Sequence, residues 1–466
     1  MESDSKPGLS AEVAADPPHG PKLWRAGTLT YTTGGLIILF FWLLWGDFAW
    51  SIKERSASQM VMLMLKKFEA SDLLTGILIG SLPPAIAIFL GPIISYKSDR
   101  HRGRWGRRIP FLLIPTPIAV IAMTGLAFSP VFGVWLHGVL GAHSPGANTL
   151  VLFSFALFWM LFDFASITAN SILGALINDV VPREVLGRFF GAFRALSLIA
   201  AMIFNYWLLG KVEAYHVWMF LGIGALFGVG FTLMCLNVRE GEYPPAPVEN
   251  GGGAGGFFPA MCGFLRDCFG KPYYILAFVT LAVPAIAFLP INLFSIFFAK
   301  SLKIPMDALG KWTATMFLVS LVLSYPLGVL ADRVHPLRLG IATLVLYALA
   351  VLWGGLFICD PTSFFAAYLA HGILSGVWVT ATASLGQRLF PREKFAQFAS
   401  AAGIINCVSQ IVIGPALGVF LDATGHVYRH TYLVGCGLAV ICLFCAIKLH
   451  SRFQALGGPR NYVAPQ

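Results

Sequence analysis

Charged residues are scarce in this sequence. They make up 12% of its 466 residues, while hydrophobic residues make up 57% and the mean hydropathy is +0.75. A soluble domain carries about a quarter charged residues. The scarcity of charge therefore excludes an ordinary soluble protein and indicates a polytopic membrane protein. The abundance of Phe and Gly agrees, because both are common in packed membrane helices and at membrane interfaces.

Motifs for enzymatic chemistry are also lacking. The sequence has no metal-ligand spacing and no nucleophile motif, and its Gly-rich segment at 250–256 lacks the Lys and the strand of a phosphate-binding loop. Cys442 and Cys445 form a C-x-x-C pattern inside an apolar run, which is typical of buried cysteines rather than of a redox pair. We therefore expect no enzymatic activity, no metal and no cofactor.

Basic residues outnumber acidic ones, with a net charge of +10. No segment is long enough to form a soluble basic domain, so we expect no nucleic-acid partner. Lys and Arg concentrate in short loops on the side of the two termini, which predicts that both termini are cytoplasmic. The expected location is the cell (inner) membrane, with the lipid bilayer as partner.

Twelve runs are apolar enough to span a bilayer, which takes about 20 residues each. Six fall in an N-terminal bundle over 28–237 and six in a C-terminal bundle over 272–450. We interpret 1–27 as a disordered cytosolic tail, 238–271 as a cytosolic linker with a short surface helix, and 451–466 as a second cytosolic tail. The runs lie at about 31–65, 72–96, 110–130, 149–179, 187–210, 216–237, 272–299, 311–331, 337–358, 362–388, 396–420 and 430–449.

Charges interrupt the first apolar run, within the stretch Trp45–Leu65. If one helix continues through them, Ser51, Glu54 and Ser58 lie within about 40° of Asp47 around the helix axis. Arg55 then lies about 80° away and Lys53 about 120° away. We therefore predict one long helix with a polar stripe that faces a central cavity. Lys53 fits this stripe least well.

The two halves of the sequence repeat each other. The segment 180–193 after the fourth run matches 389–402 after the tenth. Asp99-Arg100 after the second run likewise corresponds to Asp332-Arg333 after the eighth. Two six-helix halves with matching loops resemble the parallel repeats of the major facilitator superfamily. The expected fold is thus all-α, with twelve transmembrane helices in two pseudo-symmetric halves and a site between them.

The loop over 98–111 carries a more specific resemblance. Ser98–Arg100 followed by Gly106–Phe111 is similar to the loop of the glycoside–pentoside–hexuronide:cation symporters and of the sucrose/proton symporters. The acids Asp47, Asp163 and Asp179 resemble acids in those carriers. The resemblance implies a sugar or glycoside symporter that works by alternating access.

The resemblance also bears on the coupling ion. Melibiose carriers need two further carboxylates in the second helix for sodium, and here Gly91 and Ala87 stand in their place. We therefore expect a proton rather than sodium. Asp47 and Asp163 are the expected sugar ligands, because one carboxylate can accept two hydroxyl donors. Which acid carries the proton stays open.

The remaining candidates follow from polar residues in apolar runs. Arg194 either pairs with Asp163 or extends to the cytosol, Trp378 either stacks on a sugar or fills the interface, and His371 is interpreted as a packed histidine rather than a proton relay. The predicted substrate-binding or coupling residues are Asp47, Glu54, Ser58, Asp163, Asn170, Arg194, Asn292 and Trp378. The predicted cytosolic gate comprises Asp99, Arg100, Arg107, Arg108, Asp332 and Arg333.

Two alternatives remain at this stage. The protein could instead carry another polar solute such as a nucleoside, a hexuronate or an organic anion, and an anionic solute would favour Lys53, Arg55 and Arg194 as ligands over the two aspartates. An uncoupled facilitator would need no proton. A non-transporting sensor on the same scaffold would add a soluble signalling domain, for which the linker is too short. The expected partner is a small molecule, and the expected state is a monomer.

Overall fold

A computed structural model describes residues 23–243, 264–391 and 394–465, except for the side chains of Asp332, Ala396 and Arg460. It is mostly helical. The N-terminal half contains α1 Thr33–Lys67, α2 Asp72–Arg100, α3 Ile109–His143, α4 Ala147–Val180, α5 Arg183–Ile203 and α6 Val212–Asn237. The C-terminal half contains α7, made of Pro272–Leu281 and its continuation Pro284–Ser301 after a break at Ala282, then α8 Met306–Val334, α9 Pro336–Phe357, α10 Pro361–Ala381, α11 Phe395–Ala423, α12 His430–Ala455 and the short α13 Gly458–Asn461.

Within the described residues, 11 helical runs are long and apolar enough to cross a membrane. One of them, Arg183–Asn237, has 55 residues. A straight helix of that length would measure about 80 Å, against about 30 Å for the hydrocarbon core. A π-helical turn (Phe204–Leu208) and a 3-10 turn (Leu209–Lys211) separate α5 from α6 within this run. The backbone also leaves the helical conformation at Tyr215 in the first turn of α6 (φ −119°, ψ 22°). The twelve predicted helices are thus present, and the chain is an integral, multi-pass membrane protein.

The first helix runs unbroken through the charged stretch, as predicted. The Thr32 hydroxyl accepts a hydrogen bond from the Gly35 N–H (3.1 Å) at its start, and Lys66 and Lys67 occupy its last turn. After a short turn, the Ser71 hydroxyl caps α2 by accepting the Leu74 N–H (3.1 Å). These polar ends define α1 as one helix of 35 residues.

A β-hairpin precedes α1. Strand β1 (Trp24–Ala26) pairs antiparallel with β2 (Leu29–Tyr31). The prediction of a disordered tail over 1–27 is therefore wrong for its last residues, while 1–22 lie outside the described residues. Most of the predicted linker, 244–263, also lies outside them, and 264–269 are helical. That this segment lies on the membrane surface stays a prediction.

The two halves meet at one end of the bundle. Because the helices alternate in direction, both chain termini lie at the same end, which we call the terminal end; the opposite end is the distal end. Near the distal end, α2 and α11 approach backbone to backbone, since a Cβ on Gly76 would overlap the Gly414 carbonyl. Glycine at both positions allows this contact.

Polar contacts reinforce the distal end. The Asp422 carboxylate accepts the N–H groups of Asp72 and Leu73, both at 2.9 Å. These N–H groups open α2 and have no partner within that helix. In return, the Asp72 carboxylate accepts the Tyr428 hydroxyl (3.1 Å) and lies 2.7 Å from His426 Nδ1. We call Asp72, Leu73, Asp422, His426 and Tyr428 the distal clamp, because it joins the two halves.

The tyrosine of the clamp acts as a donor. Burial, and then the Asp72 carboxylate, raise the pKa of Tyr428 well above its ordinary value, so its hydroxyl keeps its proton. Lys66 Nζ donates to the same hydroxyl oxygen at 2.8 Å. The Lys66 cation lies next to the clamp, and the α2 N-terminus within it attracts the Asp422 carboxylate that caps it.

Asp422→Asn tests the clamp. The substitution removes the negative charge at the α2 N-terminus, and we expect hydrogen–deuterium exchange at the amides of Asp72 and Leu73 to accelerate about tenfold. The matched control is Asp307→Asn, since Asp307 also lies at the distal end but pairs with Lys311 of its own helix (2.7 Å). Equal exchange in both variants would contradict the clamp.

Candidate functional site: a cavity between the two halves

Two adjoining cavities lie at mid-depth in the bundle. The first, here the N-terminal cavity, measures about 480 Å³ and lies between α1, α4 and α5. The second, here the interdomain cavity, measures about 510 Å³ and is walled by α1 and α5 on one side and by α7, α8 and α10 on the other. Both include Arg55, Phe193 and Ser197 in their walls. Each cavity has a volume typical of small-molecule sites.

Open space continues from these cavities towards the terminal end. Gly187 and Gly191 lie seven residues before Arg194 and Leu198, respectively, and therefore share their face of α5. Arg194 and Leu198 line the interdomain cavity, and a Cβ at Gly187 or Gly191 would meet nothing within 4 Å. A route along α5 thus leads from the cavity to the terminal end, opposite the distal clamp.

The polar stripe of α1 faces the N-terminal cavity, as predicted for Asp47 and Glu54. The Ser51 hydroxyl donates to Asp47 Oδ1 (3.3 Å). In the described part of the chain, Asp47 Oδ2 has no hydrogen-bond partner although it is buried. The Glu54 side chain is 53% exposed. The stripe therefore offers one enclosed carboxylate and one hydrated carboxylate.

Lys53 lies on another side of α1 and is fully buried. Its Nζ donates to Ser166 Oγ (2.9 Å), lies 3.4 Å from Glu54 Oε2 and sits 3.5 Å from the centre of the Trp50 ring. The rings of Phe162 and Phe227 also lie near it. Lys53 does not line either cavity among the described residues, so it ties α1 to α4 and α6 rather than facing a solute.

Asp163 is buried beside this cation and interacts with its charge. Its Oδ2 has no hydrogen-bond partner within the described residues, and the side chain is absent from both cavity walls. The predicted pairing of Asp47 with Asp163 as two sugar ligands is therefore corrected: only Asp47 faces the cavity here. Asp163 instead lies close enough to interact electrostatically with both Glu54 and Lys53.

Two arginines face the interdomain cavity. Arg194 Nη2 donates to Thr380 Oγ1 of α10 (3.0 Å), so it joins the halves and does not pair with Asp163. Arg55 Nη2 donates to Ser197 Oγ (3.3 Å). The position of Arg55 at the edge of the α1 stripe was the signal for its place in both walls.

Two predicted amides reach the walls and two other predicted residues do not. Asn170 lines the N-terminal cavity and Asn292 the interdomain cavity, and both are exposed there. Ser58 is half-buried and outside both walls. Trp378 is 1% exposed and packs against α9, since a Cβ on Gly340 would lie 3.1 Å from its ring. A stacking role for Trp378 is therefore not supported by its position.

Three of the six predicted gate residues, Asp99, Arg107 and Arg108, form a network with Asp179 within the N-terminal half. Arg107 and Arg108 both donate to the Asp179 carboxylate, with closest distances of 2.8 and 3.1 Å. Arg108 also pairs with Asp99 at 2.6 Å. Of the other gate residues, Arg100 stacks 3.6 Å from the Tyr96 ring centre, Arg333 is exposed, and the Asp332 side chain lies outside the described residues.

Two residues of this network were missed by the sequence analysis. The Glu240 carboxylate accepts the N–H groups of Arg107 (3.0 Å), Arg108 (2.8 Å) and Ile109 (2.7 Å) at the start of α3. The Tyr243 hydroxyl donates to Glu240 (3.1 Å) and approaches Asp179 (3.3 Å). Burial, then these two carboxylates, raise the pKa of Tyr243, so it remains a donor. No local pattern distinguishes either residue.

Lys53→Met tests the buried cation. Removing one member of a buried charge cluster leaves the others uncompensated, and we expect a loss of about 3–5 kcal/mol in the free energy of unfolding. Thermal unfolding in detergent should show a large drop in Tm, partly recovered by adding Asp163→Asn. The control is Lys311→Met at an exposed pair. A Tm drop no larger than that of the control would contradict the role of Lys53.

Part of the sequence is similar to known membrane transporters. Residues 274–456 match the sequence model of the Major Facilitator Superfamily. A "Membrane-associated transporter protein" of Mus musculus is 24% identical over 191 residues, which is 36% of this chain and 32% of the mouse protein. The match thus spans about a third of that relative.

Solved structures resemble the whole bundle. The D-xylose-proton symporter superposes with a TM-score of 0.65 at 14% identity, covering 89% of this chain and 98% of that one. A variant of the nucleoside transporter NupG gives a TM-score of 0.64 at 14% identity, covering 88% and 99%. The chain therefore has the all-α membrane fold of the major facilitator superfamily, and its C-terminal half carries the sequence pattern of that superfamily.

Proposed function

We propose that this protein is a secondary transporter that carries a small polar solute, best a sugar or glycoside, by proton symport. The observation that carries the proposal is the interdomain cavity, which lies at mid-depth between two six-helix halves and has ionisable side chains in its wall. Such groups are costly in a membrane and mark solute or ion pathways. Carriers built from two repeats place their sites at this position.

The chemistry of the walls supports a hydroxyl-rich solute. Asp47 and Glu54 offer carboxylate acceptors, while Asn170 and Asn292 offer amides that both donate and accept. Trp50 and Phe193 add aromatic surface in the N-terminal cavity. This mixture of acceptors, donors and flat apolar faces suits a sugar ring. The loop resemblance and the similarity to a D-xylose-proton symporter point the same way.

Asp47 is the acid that we propose carries the proton. Its buried Oδ2 lacks a partner, and an unpaired buried charge costs free energy. A proton on this oxygen removes that cost and supplies a donor for a solute. Asp163 also has a buried Oδ2 without a partner among the described residues, but it lines neither cavity, so a proton on it would not meet the solute.

The transport cycle then follows from the two ends of the bundle. With the termini in the cytoplasm, the distal clamp closes the outer side and the route along α5 leads inward. Opening outward requires the contacts of Asp72 with Tyr428 and of Asp422 with α2 to break. The network around Asp179 lies within the N-terminal half and moves with that half at the terminal end. We propose the cell (inner) membrane as location and a monomer as the working unit.

A second candidate rests on the two arginines. Arg55 and Arg194 face one cavity, and each donates to a neutral hydroxyl in the described part of the chain. Two guanidinium groups so placed suit a carboxylate. This favours an organic anion or a hexuronate as the alternative to a neutral sugar. A nucleoside is a further alternative, because a nucleoside transporter is among the similar structures.

Uptake into proteoliposomes tests the proposal. The panel contains labelled mono- and disaccharides, a nucleoside and a carboxylate solute, each with and without an inward proton gradient. We expect the wild type to accumulate one sugar only with the gradient. Asp47→Asn should lose accumulation by at least about tenfold but keep solute exchange, since it cannot cycle the proton. Asp307→Asn, at an exposed pair, is the control.

Other outcomes decide between the alternatives. Gradient-driven accumulation that survives in Asp47→Asn would remove Asp47 from the coupling role. Equilibration that ignores the gradient would identify a facilitator. Accumulation of the carboxylate alone, lost in Arg55→Gln, would establish the anion carrier. Transport of no panel member would overturn the proposed function.

A further inference from the structure

A buried chain of hydrogen bonds lies behind the C-terminal wall of the interdomain cavity. His371 of α10 is 1% exposed, and its Nε2 lies 2.9 Å from Oδ1 of Asn292 on α7. Its Nδ1 lies 3.0 Å from the hydroxyl of Tyr347 on α9. Three helices of the C-terminal half thus meet at one imidazole ring. Only Asn292 of these three residues lines the cavity.

The direction of these hydrogen bonds determines which atom of the Asn292 amide binds His371 and which atom remains available to a solute. A neutral imidazole with its proton on Nε2 donates to Asn292 Oδ1 and accepts from the Tyr347 hydroxyl. The Asn292 carbonyl oxygen is then engaged with His371. Its amide nitrogen carries the two N–H donors that remain for a solute. Asn292 is exposed in the cavity, so these donors are within reach of a bound molecule.

The backbone that precedes Asn292 in α7 also forms part of the cavity wall. Pro284–Phe288 form a π-helical turn just before the Asn292 segment of α7, and Pro284 and Phe288 line the same cavity. π-Helical turns occur frequently at functional sites. Within this turn, the Ala287 carbonyl lies 3.3 Å from the Tyr347 hydroxyl. The single proton of the Tyr347 hydroxyl goes to His371 Nδ1 at the shorter distance of 3.0 Å, so the Ala287 carbonyl is a neighbour of the hydrogen-bond chain and not a second acceptor.

Aromatic packing holds the imidazole in place. The Phe288 ring stands nearly perpendicular to it, at 86° and 6.2 Å between centres, and the Tyr347 ring lies 5.7 Å away. The ring thus has little freedom to rotate, and the orientation of the Asn292 amide is set by it. A histidine suits this position because its two nitrogens can donate on one side and accept on the other.

We propose that His371 is a positioning residue for the solute: it holds the Asn292 amide with its two N–H donors towards the cavity. The inference rests on the proposed transport function and deepens it. It assigns to the C-terminal half a donor that recognises an acceptor oxygen of the solute, opposite the carboxylates of α1. His371 itself does not touch the solute and does not carry the coupled proton.

A double-mutant cycle tests the proposal with the solute that the wild type carries best. We expect His371→Leu to raise KM about tenfold while the maximal rate stays within about twofold, because only the orientation of a donor is lost. His371→Gln keeps a donor near the Nε2 position and should recover most of the affinity. In the Asn292→Ala background, His371→Leu should change KM no further.

Asn292→Asp tests whether Asn292 accepts a hydrogen bond from His371 and offers its N–H donors to the solute. It keeps the acceptor for His371 but replaces the amide donors by an oxygen, so KM should rise as in Asn292→Ala. Multiplied KM effects in the double variant, or a loss of maximal rate with unchanged KM in His371→Leu, would overturn the proposal. If His371→Leu does not fold, the KM values of His371→Gln and Asn292→Asp test the proposal: the first should stay near the wild-type value and the second should rise.

A second readout separates this proposal from the transport function. In a cryo-electron microscopy structure of His371→Leu, we expect the Asn292 side chain to leave its wild-type rotamer; an unchanged rotamer would overturn the positioning role. This result stands even if the wild type carries none of the panel solutes, an outcome that would overturn the transport function alone.

Discussion

The structure depends on how α1 carries charge through the bilayer. A charged side chain at mid-membrane costs about 2.5–3.5 kcal/mol on insertion scales, and α1 holds four of them within nine residues. The helix accommodates these charges in two ways. Lys53 is enclosed by Ser166, Glu54 and the Trp50 ring, whereas Asp47, Glu54 and Arg55 line a cavity. The position of α1 against α4 and α6, and hence the place of the cavity, follows from satisfying both.

The two ends of the bundle differ in what they join. At the distal end, Asp72 and Asp422 connect the halves directly. At the terminal end, the network of Asp179, Arg107 and Glu240 connects α2, α3, α4 and the start of the linker within one half. A rocking motion about the cavity therefore has to exchange the first set of contacts for new ones. The second set moves with the N-terminal half as a unit.

Sequence reasoning predicted the features that depend on one helix. Rotation around α1 placed Asp47 and Glu54 on one face and Lys53 on another, and the structure confirms both. Sequence reasoning was less successful for side chains whose position depends on how two helices pack against each other. On α4, the predicted Asn170 does line the N-terminal cavity, whereas Asp163, expected beside Asp47, lines neither cavity. For Trp378 the sequence left a stacking role and a packing role open, and its buried position against Gly340 of another helix agrees with packing.

Long-range partners were the other limit. Nothing local marks Glu240 as the acceptor for three N–H groups more than 130 positions earlier in the chain, or Asp422 as the cap of α2. The buried link between His371 and Asn292 joins residues 79 positions apart. Such pairs become visible only once the helices are packed, although the residue types alone indicated that each needed a partner.

The most direct test of the central claim is the pH dependence of solute affinity, measured by binding to the purified wild type and to Asp47→Asn. If solute and proton bind together through Asp47, the wild-type dissociation constant should rise by up to about tenfold per pH unit towards alkaline pH. The variant should show a flat profile. A dissociation constant that does not change with pH in the wild type would contradict the account.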